Sequence, residues 1–450
     1  MMGGGSAAEL GDVRSSPERD CVVVAREENN VTGNPPDPIA SQVALDESTD
    51  LGFRRTAALQ DQFDQAAESL RQSDGWANPA KAGAKELVAD LALEGGGVKG
   101  IGLVGVVLAL SEAGYRFQRV AGTSAGAIAA SLIAAITAAG QPMTRLRTSL
   151  ETLDFTNFMP ESTLRKMWEG RTGKIGEFID DAAALTHKMG IYPGDYLERW
   201  LGPILADLGV STFSDLKLTQ ADDPGMSLPN GHTYRLLVHT SDITRAQLVR
   251  LPWDYPFYGH NPDNESVAHA VRASMSIPFF FEPVTFDAVS ANIDLPRPDG
   301  GVVAQEYEGG SVTWVDGGML RNFPIDAFNR ADGTAPRWPT IGIKLSSLQT
   351  LFPQTEGAKD VLQVAIRALR TMMNEWDSYA IDEGTAGRTV FVDNLGLTAT
   401  QFDLTSDQQN GLFLNGVAAG TSFVIEMAAA GRVPRTADEA MAMSRGRLRV

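Results

Sequence analysis

This chain has little with which to build a metal site, a disulfide or a histidine relay. Its 450 residues include one cysteine, Cys21, and five histidines, His187, His232, His239, His260 and His269. A single thiol excludes an intramolecular disulfide and any cysteine-based zinc site. Positive charge is scarce as well: 38 Lys and Arg against 56 Asp and Glu leave a formal net charge of −18. That balance argues against nucleic acid as a partner, because phosphate binding is driven by Lys and Arg. It also disfavours electrostatic docking on anionic lipid. Long apolar runs are missing too. The longest, residues 125–139, falls short of the roughly 20 residues a bilayer requires, and its alanine content suits a closely packed buried helix. The first thirty residues lack the basic start and apolar run of a secretory signal. The expected location is therefore the cytoplasm or the periphery of a membrane.

What is present is ordinary for a soluble globular protein, with 43% hydrophobic and 21% charged residues. The first 50 residues hold ten acidic and three basic side chains among Gly, Ser, Asn and Pro, and read as disordered. Residues 1–85 are thus expected to form an acidic extension, holding an amphipathic helix with Leu59, Phe63, Ala66, Ala67 and Leu70 on one face. From Leu87 short apolar runs alternate with helical segments: LVADLAL, IGLVGVVLALSEAG, FQRVAG, AGAIAASLIAAITAAG. Strand, helix, strand, helix predicts a three-layer α/β/α domain with a mainly parallel central sheet, over residues 87–345. Amphipathic stretches in 150–230 are expected to cover it as a helical cap. Residues 346–450 are expected to pack on it as a helical extension.

The chemistry concentrates between Leu91 and Ala127. Gly122-Thr123-Ser124-Ala125-Gly126 reads as a nucleophile elbow, a sharp strand-to-helix turn whose small neighbours expose one serine hydroxyl. Gly95-Gly96-Gly97 brings bare backbone nearby, as an oxyanion requires. Ser124 still needs a base. No histidine follows His269, although more than a third of the chain does, so the Ser–acid–His order of an α/β-hydrolase lacks its late histidine. One arrangement pairs His260 or His269 with Asp242. Another uses a carboxylate held beside the serine and partly desolvated. Trp314-Val315-Asp316-Gly317-Gly318 offers one, after an apolar strand and at the carboxyl edge of a parallel sheet. The same segment reads equally well as Asp316 forming a turn with Gly317. Gly95-x-Gly97-x-x-Gly100 is also formally a dinucleotide fingerprint. The acidic residue expected about 20 positions on is missing there, since Val120 to Ser124 fill the place and Glu112 lies inside the intervening helix.

Four segments in order, EGGGVKGIG, AGTSAGAI, VRASMSIPFFFEPV and VDGGMLRNFPID, resemble the patatin-like phospholipase family. The resemblance covers about residues 87–345. It implies a patatin-like fold and a Ser–Asp dyad, with Ser124 the nucleophile, Asp316 the proton acceptor, and the backbone of Gly95, Gly96, Gly97 and Val98 the oxyanion hole. Lys99 stands where the family often has arginine; with Gly100, Gly122, Gly126, Gly317 and Gly318 it would support the site. Arg272 and Asn322 lie in segments that resemble family turns. The implied activity is hydrolysis of carboxylic esters of phospholipids or related acyl glycerides through an acyl-enzyme, with no cofactor and no metal. An acyl groove would then draw on Phe155, Phe158, Met159, Met167 and Trp168 in the cap, and on Phe279-Phe280-Phe281. Two alternatives are a catalytically silent binding protein on the same fold and a dinucleotide-binding protein.

Overall fold

The computed structural model describes residues 39–77, 85–154, 194–220, 232–296, 301–330, 333–345, 383–397, 404–436 and 438–441, with short pieces between them. After α1 (Ala57–Asp74), strand β1 (Lys85–Leu93), helix α2 (Ile101–Glu112), strand β2 (Tyr115–Thr123) and helix α3 (Ala125–Ala138) follow one another, and the chain returns to the sheet as β3 (Leu236–Asp242). β1, β2 and β3 pair in parallel. Both crossovers step the same way across the sheet, so right-handed connection puts α2 and α3 on one face. Every residue from Gly102 to Leu110, and from Ala125 to Ile136, is buried. Helices that are apolar all round need cover on the outer side as well. Strand alternation divides the core accordingly: Leu91 and Leu93 join the main cluster, while Ala92 packs with Phe323 and Ile325 on the other face.

β4 (Gln247–Leu251) folds back on β3 as a hairpin, and β5 (Val284–Ala288) pairs antiparallel with β6 (Gly310–Asp316). On the far side β7 (Thr340–Lys344) and β8 (Thr389–Phe391) extend the parallel part beyond β1. The fold is α/β, a mostly parallel sheet with flanking helices.

The position of β6 differs from expectation. Val238 and His239 pair with β2 on one edge and with β4 on the other, whereas Thr240 to Asp242 pair with β4 and β6. A strand has only two hydrogen-bonding edges, so β6 lies on the β2 edge of β3 and runs the opposite way. The carboxyl ends of β2 and β6 therefore meet head-on, opposite His239 and Thr240. Asp316 does not project from the carboxyl edge of a parallel sheet; it approaches Ser124 from the facing direction.

The acidic extension is also shorter than expected. Val43, Phe53 and the α1 residues Leu59, Phe63, Ala66, Ala67 and Leu70 are part of the core. The buried Arg55 guanidinium donates to Glu112 at 2.8 Å and to Thr421 at 2.9 Å, and lies 3.9 Å from the Phe63 ring centre. A cation so far from water requires partners of this kind. They sit 57 and 366 residues away in sequence, which is why local composition did not reveal them.

Of the expected cap, α4 (Asp195–Asp207) is described and buries Leu197, Leu201 and Leu205. Phe155, Phe158, Met159, Met167 and Trp168 lie outside the described residues. α5 (Val267–Ser274) packs against α4, β3 and β6. The C-terminal region contributes β8 as well as α6 (Ser406–Ala430), whose Gly416 and Gly420 rest on the backbone of α2. Among the described residues α6 is the one helix long and apolar enough to cross a membrane, but 56% of its apolar window is buried inside the fold.

Candidate active site

Ser124 follows the last residue of β2 and opens α3 with φ 53° and ψ −124°. A non-glycine residue with positive φ is strained, and such strain persists only where the surroundings enforce it. Here they do. A Cβ at residue 122 would sit 2.2 Å from the Gly126 carbonyl oxygen, and one at residue 126 would sit 2.4 Å from that of Leu93. The turn closes only because both positions are glycine, and it leaves the serine 2% exposed. The Ser124 carbonyl accepts from the N–H groups of Ala127 and Ile128.

Asp316 ends β6 and is completely buried. Its Oδ1 accepts from the Gly318 N–H at 2.7 Å, capping the short turn Gly317–Met319. Oδ2 has no hydrogen bond formed. The turn therefore occupies one oxygen of the carboxyl group and leaves the other unengaged. Burial pushes the Asp316 carboxyl up to about 7, while the nearby Ser124 hydroxyl and the Gly318 N–H pull it down. A carboxyl of that basicity suits a proton acceptor at neutral pH. Residue 317 must be glycine, because a Cβ there would lie 2.2 Å from the His239 carbonyl oxygen.

The two histidines considered as bases, His260 and His269, have other partners. His260 pairs with Glu265 at 2.8 Å and with the Asp287 carbonyl, and His269 pairs with Glu198 at 2.9 Å. Asp242 accepts from the Tyr258 hydroxyl and from two N–H groups of its own hairpin turn. His239 lies buried in β3, and burial holds its pKa down to about 3. It is therefore uncharged at neutral pH. The sign of the Asp316 shift sets the pH profile expected of any reaction that uses this carboxylate as its base: kcat/KM should fall tenfold per unit below about pH 7 as Asp316 is protonated. A profile flat from pH 5 to 8 would show that some other group accepts the proton.

The glycine loop needs one correction. The Gly95 N–H donates to the Asn322 carbonyl at 3.1 Å, and the Asn322 side chain returns a bond to the Gly95 carbonyl at 3.0 Å. Gly95 is therefore a brace and has no N–H left for an oxyanion. Gly97, at φ 55°, starts the turn Gly97–Gly100, whose first N–H groups have no partner within the turn. Lys99 points behind the loop, with Nζ 3.4 Å from the Leu345 carbonyl. Burial lowers its pKa and the Glu94 carboxylate opposes that shift. Glu94 also takes the Lys344 ammonium and the Leu345 N–H.

An apolar cleft opens beside Ser124. Gly97 and Gly100 line it with Ile101, Ala125, Ile128, Ala129, Leu150, Leu153, Met275, Ile277 and Phe281. Of the triple phenylalanine only Phe281 reaches the lining. The other wall residues come from separated elements and no local pattern marks them. Two further contacts were not foreseen. The Ser124 N–H donates to Ser274 Oγ at 2.9 Å, and the Asp316 N–H donates to the Ser276 carbonyl at 2.8 Å. Arg272, expected as a support, donates to Ser276 Oγ and to the Glu282 carbonyl.

A family model described as Patatin, patatin-like phospholipase, matches residues 91–329. The uncharacterized protein YqhO of Bacillus subtilis (strain 168) is 31% identical over 323 residues, which are 72% of this chain and 93% of that one. Among solved structures, VipD from Legionella pneumophila aligns over 76% of this chain and 67% of its own, at 17% identity and a TM-score of 0.38. The ExoU–SpcU complex from the type III secretion system of Pseudomonas aeruginosa aligns over 76% of this chain and 52% of the matched chain, at 20% identity and a TM-score of 0.32.

Proposed function

Because this chain belongs to the patatin-like phospholipase family, we propose that it is a lipid acyl hydrolase working through a Ser124–Asp316 dyad. The observation that carries this reading is a buried carboxyl with basicity raised to about 7, facing a serine on a strained elbow at the mouth of an apolar cleft.

Asp316 Oδ2 takes the Ser124 proton as Oγ attacks the ester carbonyl carbon. Negative charge moves to the carbonyl oxygen, where the N–H groups at Gly97 and Val98 receive it. Collapse breaks the bond to the alcohol, which leaves with the proton from Asp316. Water then attacks the acyl-enzyme with Asp316 again as base, restoring Ser124 and releasing the fatty acid. The acyl chain lies along Ile128, Leu150, Leu153 and Ile277, away from water. Phospholipids and acyl glycerides are the substrates considered, met at the periphery of a membrane.

A dinucleotide has less to recommend it. Above the glycine loop stands Ala125, 3.3 Å from where a Cβ on Gly100 would be, and Glu112 is bonded to Arg55. In a test with defined phospholipids and acyl glycerides, product mass spectrometry should show free fatty acid from wild type. Ser124→Ala should lose at least 10⁴-fold, on the order seen when a serine nucleophile is removed. Absence of any fatty acid from every lipid class would favour the silent binding protein.

A further inference from the structure

We propose that Ser274, at the carboxyl end of α5, is a positioning residue that holds the nucleophile elbow in its reactive conformation; the inference rests on Ser124 being the nucleophile. The head-on meeting of β2 and β6 creates the need for it. Ser124 lies one residue beyond Thr123, the last paired position of β2, whereas Asp316 is the last paired residue of β6, opposite Thr240, so the gap in lateral pairing falls at the nucleophile. α5 closes that gap from one side. Its terminal Ser274 Oγ takes the Ser124 N–H at 2.9 Å, and two residues on the Ser276 carbonyl takes the Asp316 N–H at 2.8 Å. One short stretch of backbone therefore sets where both members of the dyad sit relative to each other.

The two anchors differ in kind. Asp316 is held through a carbonyl, which no side-chain change at 274 removes. Ser124 is held through a hydroxyl, which a single substitution deletes. Both Ser274 and Ser276 are fully buried, and Arg272 fixes the turn between them by bonding Ser276 Oγ and the Glu282 carbonyl. At φ 53° the elbow backbone is strained, and relaxing it would cost the Ser124 N–H its Ser274 partner. Rotation of that peptide swings Oγ away from both the carboxylate and the cleft.

Ser274→Ala in the full-length protein tests this, with fluorophosphonate labelling of Ser124 as the first readout and ester hydrolysis as the second. Labelling rate and kcat should both fall about 100-fold, the scale expected for displacement of a reacting atom by about 1 Å. KM should stay within about twofold, since the cleft is untouched. The acid limb of kcat/KM should keep its midpoint, because the Asp316 anchor remains. Labelling at the wild-type rate would overturn the proposal, as would a loss matched by the fraction of misfolded protein in near-ultraviolet circular dichroism. A displaced acid limb would also overturn it, by showing that Ser274 acts on the base. Wild type that fails to label at all would instead remove the hydrolase reading itself.

Discussion

Replacing Asp316 by Asn is expected to cut hydrolysis by roughly 10²- to 10⁴-fold, the usual contribution of a positioned base, and at pH 8 to make the protein more stable. The two effects have one cause. Native Asp316 keeps its proton up to about pH 7, whereas the unfolded chain releases it near the ordinary value of 3.8. Between these values the native state holds the extra proton, so stability falls as pH rises through the window, and the penalty is complete above about 7. At about 1.4 kcal/mol per unit, the buried charge costs on the order of 4 kcal/mol at pH 8. Asparagine carries no charge and still accepts from the Gly318 N–H. The variant's advantage in urea unfolding should be largest at pH 8 and vanish toward pH 4. A variant less stable than wild type at pH 8 would mean that the carboxyl is not desolvated. Retained hydrolysis would mean that another group is the base.

The same buried carboxyl marks how far the sequence could be read. The elbow was legible because its requirement is local: Gly122 and Gly126 must lack side chains for the turn around Ser124 to close, and those residue types stand within one pentapeptide. Asp316-Gly317-Gly318 was legible as a turn for the same reason. Its basicity was not, since burial depends on what His239 and Ser276 bring around it from two other segments. The direction of β6 was hidden too. Nothing between Gly310 and Asp316 distinguishes a strand that extends the parallel sheet from one that meets β2 end to end. That choice is made by the β3–β4 hairpin, which takes one edge of β3 and leaves β6 the other.

Gly95 shows the opposite limit. A glycine run beside a catalytic serine supplies several N–H groups at once, and only the pairing with Asn322 reveals which are already engaged. Ser274 and Ser276 lie in a segment whose resemblance to a family was plain. Their part in the site became visible only when Ser124 and Asp316 were seen to share that one support.

Gly105→Ala is expected to destabilise the protein by roughly 2 kcal/mol or more, although alanine in a helix interior normally gains about 0.5–1 kcal/mol over glycine. Packing decides the sign. α6 crosses α2 so closely that a Cβ at residue 105 would lie 2.2 Å from the Phe413 carbonyl oxygen and 2.6 Å from the Val417 nitrogen, both backbone atoms. Gly416 faces back with equal tightness, its Cβ position 2.1 Å from the Gly102 carbonyl oxygen. Neither helix can yield by moving a side chain, so the pair must separate, and overpacking of that kind costs about 1–3 kcal/mol or more. Separation also reaches the chemistry. Ile101 is the first residue of α2, lines the cleft, and directly follows the turn Gly97–Gly100. A shift of α2 therefore moves the N–H groups proposed to receive the oxyanion. In Gly105→Ala, kcat should fall at temperatures where the protein is still folded by circular dichroism, and Gly105→Leu should not accumulate as soluble protein. If Gly105→Ala instead unfolds at a higher urea concentration than wild type, helix propensity has outweighed the contact, and the seam between α2 and α6 is not what sets the loop in place.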